Sequence, residues 1–498
     1  MLRRLLVLLT LALSVLPIAA AEPPLRIGSK RFTESYILAE VLAQTARQAG
    51  AQAEVKPGLG NTAIVYAALR AGSIDLYPEY LGTIDREILG NDKPSSPAAM
   101  RAQLEKLGLG MDLPLGFNDG YALAMRADVA KRLGIAKLSD LAAHPTLKLG
   151  LSNEFIGRAD GWPGLARRYA LPQQPTGLDH GLAYDALAAG QVDAIDIYTT
   201  DAKIAQLGLV ALQDEHAYFP RYDAVVLYRL DVPQRFPVAW AALQKLKDSI
   251  DERSMVAMNA QAELKGIGFE QIAREHLSGA ASGTAAPGGL WARITGPDLA
   301  RLTWQHLGLV LASVAAAVLI GVPLAVLVAP HAGARAFTLG VAGLMQTVPS
   351  IALLAMLISA TDRIGAVPAL LALTLYSLLP IMRNCCTGLA EVPQGLKQAG
   401  TALGLTGLQR LRHIELPLAM PTLVAGIRTA TSIAVGTATI AAFIGAGGYG
   451  ERIVTGLALN DRTLMLAGAL PAAALALLFE ALFGLAALVR PRAAGPSR

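Results

Sequence analysis

Cysteine is almost missing from this 498-residue chain, and its two cysteines, Cys385 and Cys386, are neighbours in an apolar run. Adjacent cysteines rarely meet disulfide geometry, and two thiols alone make a poor zinc site, so both read as small membrane residues. Aromatic residues are scarce as well, at 5%. No Gly-x-x-x-x-Gly-Lys-Ser/Thr phosphate loop occurs, so ATP hydrolysis by this chain itself is not expected. No His, Cys or carboxylate cluster has metal spacing, and no catalytic constellation is visible, so neither an enzyme nor a cofactor is expected. The net charge of +5 is modest and spread out, which gives no footing to a nucleic-acid partner.

Apolar residues are what the chain has in quantity. They reach 53%, with a mean hydropathy of +0.43, while charged residues still make up 16%. That mixture fits a chain of two or three domains, part soluble and part membrane. Residues 1–21 join Arg3 and Arg4 to an apolar run ending in Ala19-Ala20-Ala21, the pattern of a secretory signal peptide. A retained anchor is the competing reading, for which the run is short. Either way, the segment that follows is expected outside the cytoplasmic membrane.

Residues 22–279 have the pattern of a soluble α/β domain. Strand-like runs at Leu25–Gly28, Leu147–Leu151, Val192–Tyr198 and Ala224–Tyr228 alternate with helical runs at Glu34–Ala49, Thr62–Ala71, Tyr184–Ala189 and Val238–Ser249. The alternation predicts parallel sheets covered by helices, and the length predicts two lobes with a cleft. Residues 280–300 form a linker whose start, within GAASGTAAPGG, is small and uncharged. Such a tether holds the domain beside its neighbour at about millimolar effective concentration.

Residues 301–492 follow as a membrane domain. Five apolar spans are expected, at Leu307–Pro330, Ala336–Ala360, Ile364–Gly388, Leu418–Gly445 and Thr463–Val489. Five crossings place residues 391–417 and the C-terminus in the cytoplasm. Arg335, Lys397, Arg410, Arg412, Arg490 and Arg492 then fall inside, with Arg363, Arg452 and Arg462 outside and each near an acid. Arg428 and Glu480 lie within apolar runs, where ionisable residues usually face the bundle interior and a pair is possible. The polar stretch 391–417 reads as two short helices around a Gly turn, with Pro417 and Pro421 restarting the chain. An apolar-anchored helix pair at a membrane face suits a groove on a soluble partner; lying on the membrane without a partner is the alternative.

Several motifs are recognisable. Ile27-Gly-Ser-Lys-Arg-Phe-Thr-Glu-Ser-Tyr-Ile-Leu38, Asp75-Leu-Tyr-Pro-Glu-Tyr-Leu-Gly-Thr83, Asp196-Ile-Tyr-Thr-Thr-Asp201 and Phe219-Pro-Arg-Tyr-Asp223 resemble the glycine betaine/choline class of periplasmic binding proteins, over residues 25–277. Residues 391–417 resemble the coupling loop of ABC importer permeases, as do Gln346-Thr-Val-Pro-Ser350 and the run from Gly436 to Gly450. The coupling positions are Gln398, Ala399, Gly400, Gly404, Ile414, Leu416 and Pro417; Gln398 stands where that signature has Glu, and Gly400 where it has Ala.

The resemblance implies a two-lobed α/β periplasmic binding protein (type II-like) fused to an all-α permease bundle of about five helices. It implies a cage of Tyr80, Tyr121, Tyr198 and Tyr222 for a quaternary ammonium. Such a cation lacks a conventional donor and is best held by aromatic faces. Lys30, Thr83 and Arg158 occupy the positions for a ligand carboxylate, and Asp119 stands near the cation. Trp162 reads as a core or turn residue. The implied function is an inner-membrane importer subunit for glycine betaine, choline or proline betaine, working as a homodimer with a separate cytoplasmic ATPase. An importer of another small zwitterion or amino acid stays open, as does a membrane-anchored sensor without transport.

Overall fold

The computed structural model describes residues 23–279, 289–361, 363–459 and 461–488. The expected signal peptide, residues 280–288 of the linker, Arg490 and Arg492 lie outside them. The soluble part holds two five-stranded sheets. The first is ordered β2-β1-β3-β10-β4, from Ala53–Lys56, Leu25–Gly28, Leu76–Tyr80, Ala224–Arg229 and Leu109–Asp112. The second is ordered β7-β6-β8-β5-β9, from Thr176–Leu178, Leu149–Ser152, Ala194–Tyr198, Tyr121–Arg126 and Leu209–Ala211. Strands β3 and β8 are buried at every position, as central strands covered on both faces require.

Two lobes are present as expected, but the sheets are mixed rather than parallel. Strand β10 runs antiparallel to β3 and β4, and β5 antiparallel to β8 and β9. The cause is topological. The chain leaves the first lobe after β4, builds the second, and returns as β10 between β3 and β4. The outgoing and returning segments meet at an Asn118–Asp223 bridge, where the Tyr222 N–H donates to Asn118 Oδ1 at 2.8 Å. That bridge lies where the chain passes between the lobes.

Four helices place the rest of the cleft. Helix α1 (Thr33–Gln48) starts at the cleft and is buried along most of its length. Helix α2 (His180–Ala188) of the second lobe is capped by Asp179, which accepts the Gly181 N–H at 3.1 Å. Helices α3 (Glu252–Glu263) and α4 (Phe269–Ser278) close the first lobe, with Tyr36 of α1 stacked on Phe269 at 4.9 Å.

The membrane part is helical. Helices α5 (Leu299–Val328), α6 (Ala332–Thr347), α7 (Ser350–Thr361) and α8 (Ala366–Glu391) are followed by the short α9 (Gln394–Ala402). Then come α10 (Leu416–Ala438), α11 (Gly450–Ala458) and α12 (Arg462–Leu488). Among the described residues four helices are long and apolar enough to span a membrane alone, and α6 with α7 forms a fifth candidate bent by 103°. The bend falls at Val348-Pro349, where Pro349 has no N–H to offer. The Tyr376 hydroxyl donates to the Val348 carbonyl at 2.7 Å, and Gln346 Nε2 donates to the Tyr376 carbonyl at 3.0 Å. The first bond satisfies a carbonyl at the break, and the second satisfies the Tyr376 carbonyl, which Pro380 four residues on leaves without its helical donor.

Despite its bend, the α6–α7 pair runs from the C-terminal end of α8 to its N-terminal end. Its start lies beside Cys386, Leu389 and Lys397, where Arg335 Nη1 donates to the Ala329 carbonyl at 3.2 Å. Past its end, the Gly365 N–H donates to the Ile444 carbonyl at 2.8 Å, and Ile364 packs on the core of the first lobe. The two lobes therefore rest on the end of the bundle opposite α9. Three ion pairs cluster at the lobe end: Arg452–Asp298 at 2.6 Å, Arg301–Glu451 at 2.7 Å, and Arg293 with Asp461.

Residues 391–417 depart from the expected helix pair. Helix α9 is separate and ends before Gly404, which turns at φ +79°. The second helix, opened by Thr406 with Gln409 as a reciprocal cap, does not stop. It passes through a wide π-turn at Leu411–Glu415 into α10, so Gly407–Ala438 is one continuous helix. Pro417 and Pro421 lie inside it rather than restarting the chain. A proline cannot donate to the residue four back and crowds its carbonyl, and the π-turn just before Pro417 relieves that crowding.

Gly400 explains itself here, since a Cβ there would stand 2.7 Å from Ile414 Cδ1. Its absence lets α9 fold back against Ile414. Arg410 Nε reaches Glu415 at 2.7 Å, and Lys397 Nζ donates to the Leu389 carbonyl at 2.9 Å.

Candidate functional site

The cleft between the lobes is lined by strand ends. Tyr80 ends β3, Tyr121 opens β5, Tyr198 ends β8, and Tyr222 precedes β10. Antiparallel register sets Tyr121 directly opposite Tyr198, with ring centroids 5.1 Å apart. Tyr222 meets the edge of Tyr121 at 5.5 Å. Tyr80 joins through Phe32, whose ring lies 6.2 Å from Tyr80 and 5.2 Å from Tyr198. All four tyrosines are buried. Burial raises the pKa of every one, so each hydroxyl stays neutral.

The polar residues expected beside them divide into two stations. Arg158 reaches across the cleft from the second lobe, donating through Nη2 to Thr83 Oγ1 at 3.3 Å. Its Nε donates to Asp160 at 2.7 Å, and the Tyr222 hydroxyl donates to the same carboxylate at 2.6 Å. The guanidinium lies 5.1 Å from the Tyr121 ring centroid. Lys30 does not join Thr83 and Arg158. Its Nζ donates to Glu79 at 2.5 Å and stands 4.7 Å from the Tyr80 ring centroid. Both cations are thus buried, each beside its own carboxylate and over a tyrosine face. Trp162, kept out of the site on sequence grounds, is buried in the core.

Asp119 sits beneath the aromatic group in a hydrogen-bonded network that joins both lobes. The Thr200 hydroxyl donates to Asp119 at 2.8 Å or to Glu34 at 2.6 Å. The Tyr80 hydroxyl donates to the other Glu34 oxygen at 2.6 Å, and Asn259 Nδ2 reaches Glu34 at 3.3 Å. Burial pushes the Glu34 carboxyl up to about 7, against the pull of these donors. Asp119 is raised too, by burial first and then by the charges of Glu34 and Asp201. Beside them His180 contacts Asp201 at 3.0 Å, and its ring lies 4.4 Å from Tyr198. Burial opposes its charge, but Asp201 and Asp196 overcome that and hold its pKa well above 6.5.

These shifts give stability a direction with pH. Glu34 holds its proton to about 7 in the fold and to 4.5 when unfolded, so its contribution to stability declines as pH rises between those values. The His180 contribution is present below 6.5 and is lost as pH rises through its raised folded value. The unfolding midpoint of the full chain should therefore fall on going from about pH 5 to pH 7. Glu34→Gln should flatten that slope, as thermal unfolding at a series of pH values would measure.

Phe32, Glu34, Glu79, Asp160 and His180 are site neighbours that the sequence reading did not single out. Phe32, Glu34 and Glu79 lie inside the motifs quoted above, two, four and one residues from the nearest expected positions. Asp160 lies outside those motifs but two residues from Arg158, and His180 carries neither signal.

A two-lobed α/β domain closing on tyrosine faces, seated on one end of a membrane bundle, is the build of a solute-binding protein joined to its permease. The chain belongs to that class by family. Residues 23–279 match the substrate binding domain of ABC-type glycine betaine transport system, and residues 317–494 match the binding-protein-dependent transport system inner membrane component. It is thus a transport subunit, with binding and permease domains in one polypeptide. The permease region is 45% identical to an osmoprotectant import permease protein of Salmonella typhimurium, over 36% of this chain and 86% of that protein. It is 40% identical to a choline transport system permease protein of Bacillus subtilis, over 37% and 85%. An ergothioneine transport permease/ergothioneine binding protein of Helicobacter pylori is 31% identical over 55% of this chain and 51% of that one.

Proposed function

We propose that this chain is the binding and permease subunit of an importer for quaternary ammonium osmoprotectants of the glycine betaine, choline or proline betaine type. One observation carries the reading. In a chain with 5% aromatics, four tyrosines and Phe32 gather in one cleft, with both neighbouring cations already paired. Aromatic faces attract a cation that has no donor of its own. In this reading Tyr80, Tyr121, Tyr198 and Tyr222 hold the ammonium, with Asp119 adding attraction from below. Thr83 and Arg158 receive the polar end of the solute, while Lys30, expected there as well, stands apart on Glu79.

In this reading 22–279 binds, 280–300 tethers, 301–492 conducts, and 391–417 couples to a separate cytoplasmic ABC ATPase; within the expected tether Leu290–Ile294 is helical and α5 has begun by Leu299. Leu396, Leu403 and Leu408 are 45%, 82% and 75% exposed at the end of the bundle far from the lobes, an apolar surface suited to a partner's groove. The lobes then lie on the periplasmic or extracellular face of the cell membrane.

A second copy of the chain is part of this reading. Arg428 and Glu480 form the pair that the sequence left possible but do not face the interior of this bundle as expected; their side chains are 44% and 43% exposed. An ion pair within apolar spans is usually covered by protein or faces a water-filled path, and a second permease supplies both.

Titration of the full chain in nanodiscs with glycine betaine, choline, proline betaine and ergothioneine tests the cargo. Binding of a quaternary ammonium is expected, and binding only of a non-quaternary zwitterion would move the assignment to that class. Leu403→Asp with Leu408→Asp should abolish uptake in cells while leaving solute binding intact. Uptake undiminished by both changes would remove residues 391–417 from coupling and favour a different contact.

A further inference from the structure

Both lobes touch the permease, and one side chain stands where all three bodies meet. Arg31 lies between Lys30, which touches the Tyr80 face, and Phe32, which touches Tyr198. Its own side chain points away from the cage. Nη2 donates to the Phe443 carbonyl at 3.2 Å, and the guanidinium carbon lies 4.3 Å from the Phe443 ring centroid. Its Nε is buried without a hydrogen-bond partner among the described residues. Arg31 lines a cavity of about 40 Å3 with Asp179 and His180 of the second lobe and Ala458 of the permease. Burial lowers the Arg31 pKa, against the opposing influence of Tyr36 and then of Asp179 and Glu154, the last two on that lobe.

Each lobe makes its own contact with the permease beside Arg31. On the first lobe, Leu59 fills the place of the missing side chain at Gly445, where a Cβ would stand 2.4 Å from Leu59 Cδ2. On the second, Gly181 lies against the carbonyls of Leu457 and Ala458, each 3.1 Å from where its Cβ would be. Separating the lobes withdraws Asp179 from Arg31 and Gly181 from the permease together. The receiving turn, Ile440–Ile444, is tied to the start of α8 by the Gly365 bond, so a shift of Phe443 reaches a membrane helix.

We propose that Arg31 is the positioning residue through which closure of the lobes is registered by the permease, by holding Phe443 and the turn Ile440–Ile444. The proposal adds a named contact to the importer reading and rests on it for the direction of solute flow. Arg31 acts by positioning and does not touch the solute. A planar guanidinium can stack on Phe443 and donate to its carbonyl at once, which the point charge of lysine cannot do.

The test uses the full chain in nanodiscs, with one spin label on the second lobe and one on the permease, and compares wild type with Arg31→Ala, Arg31→Lys and Phe443→Ala. With a saturating solute that closes the lobes (glycine betaine, or ergothioneine where that binds instead), wild type should give a narrow inter-label distance, and Arg31→Ala and Phe443→Ala a broad one, with Arg31→Lys between. In cells, Arg31→Ala should lower the maximal uptake rate of glycine betaine about tenfold, while its affinity for the full chain changes less than about twofold. Distances that stay narrow in Arg31→Ala, or a fall in affinity matching the fall in uptake, would overturn the proposal. If wild type docks through Arg31 yet takes up no quaternary ammonium, the cargo assignment fails and the contact stands.

Discussion

Replacing Tyr121 by Ala should weaken binding of glycine betaine or choline about 30-fold or more, because a desolvated cation–aromatic contact contributes about 2 kcal/mol. Tyr121 is chosen because it is the hub of the cleft. Its ring contacts Tyr198, Tyr222 and Phe155 at 5.1, 5.5 and 5.2 Å, and Arg158 stands over it. Removing it takes away one aromatic face and also loosens two others and the cation that spans the lobes. Tyr121→Phe separates face from hydroxyl. The hydroxyl makes only a 3.5 Å contact with the Tyr198 hydroxyl, so Phe should bind within about threefold of wild type. Calorimetric titration of both variants distinguishes the cases; equal losses in Ala and Phe would assign the binding to the hydroxyl instead.

Replacing Lys30 by Met is expected to have the largest effect on stability, a loss of about 3–5 kcal/mol, because it strands a buried carboxylate. Glu79 is fully buried, and its Oε1 accepts from Lys30 and from the Tyr80 N–H. Its other oxygen has no partner among the described residues. Without the ammonium, one N–H is left to hold a charge out of water. The double variant Lys30→Met with Glu79→Gln removes the stranded charge and should recover much of the loss. Denaturant unfolding of the full chain, followed through buried Trp162, measures both; a single variant within about 1 kcal/mol of wild type would show the pair to be dispensable.

The tyrosines that gather in the cleft were legible before the fold because Tyr80, Tyr198 and Tyr222 sit inside short motifs, while Tyr121 lies outside all four. The partners of the cations were not. Glu79 is 49 residues from Lys30, and only the pairing of β1 with β3 brings those strands side by side. The antiparallel return of β10 was hidden for a similar reason. Alternating apolar and helical runs reveal layers but not where a chain re-enters a sheet it has left. Pro349 signalled a kink but not its 103° size, which depends on Tyr376 capping the break from another helix. Pro417 misled in the other direction, because a π-turn lets the helix continue through a residue that usually stops one. The outward-facing pair of Arg428 and Glu480 shows the same limit, since an apolar run marks a span but not which of its faces the chain itself covers.

The claim on which the account rests is that tyrosine faces select the solute by its positive charge. Choline and 3,3-dimethylbutan-1-ol have the same shape and differ by that charge, so titrating each into the full chain isolates it. Choline should bind about tenfold more tightly or better, as a desolvated cation–aromatic contact requires. Equal affinities would mean that the cleft recognises an apolar shape, and the cage as described here would be wrong.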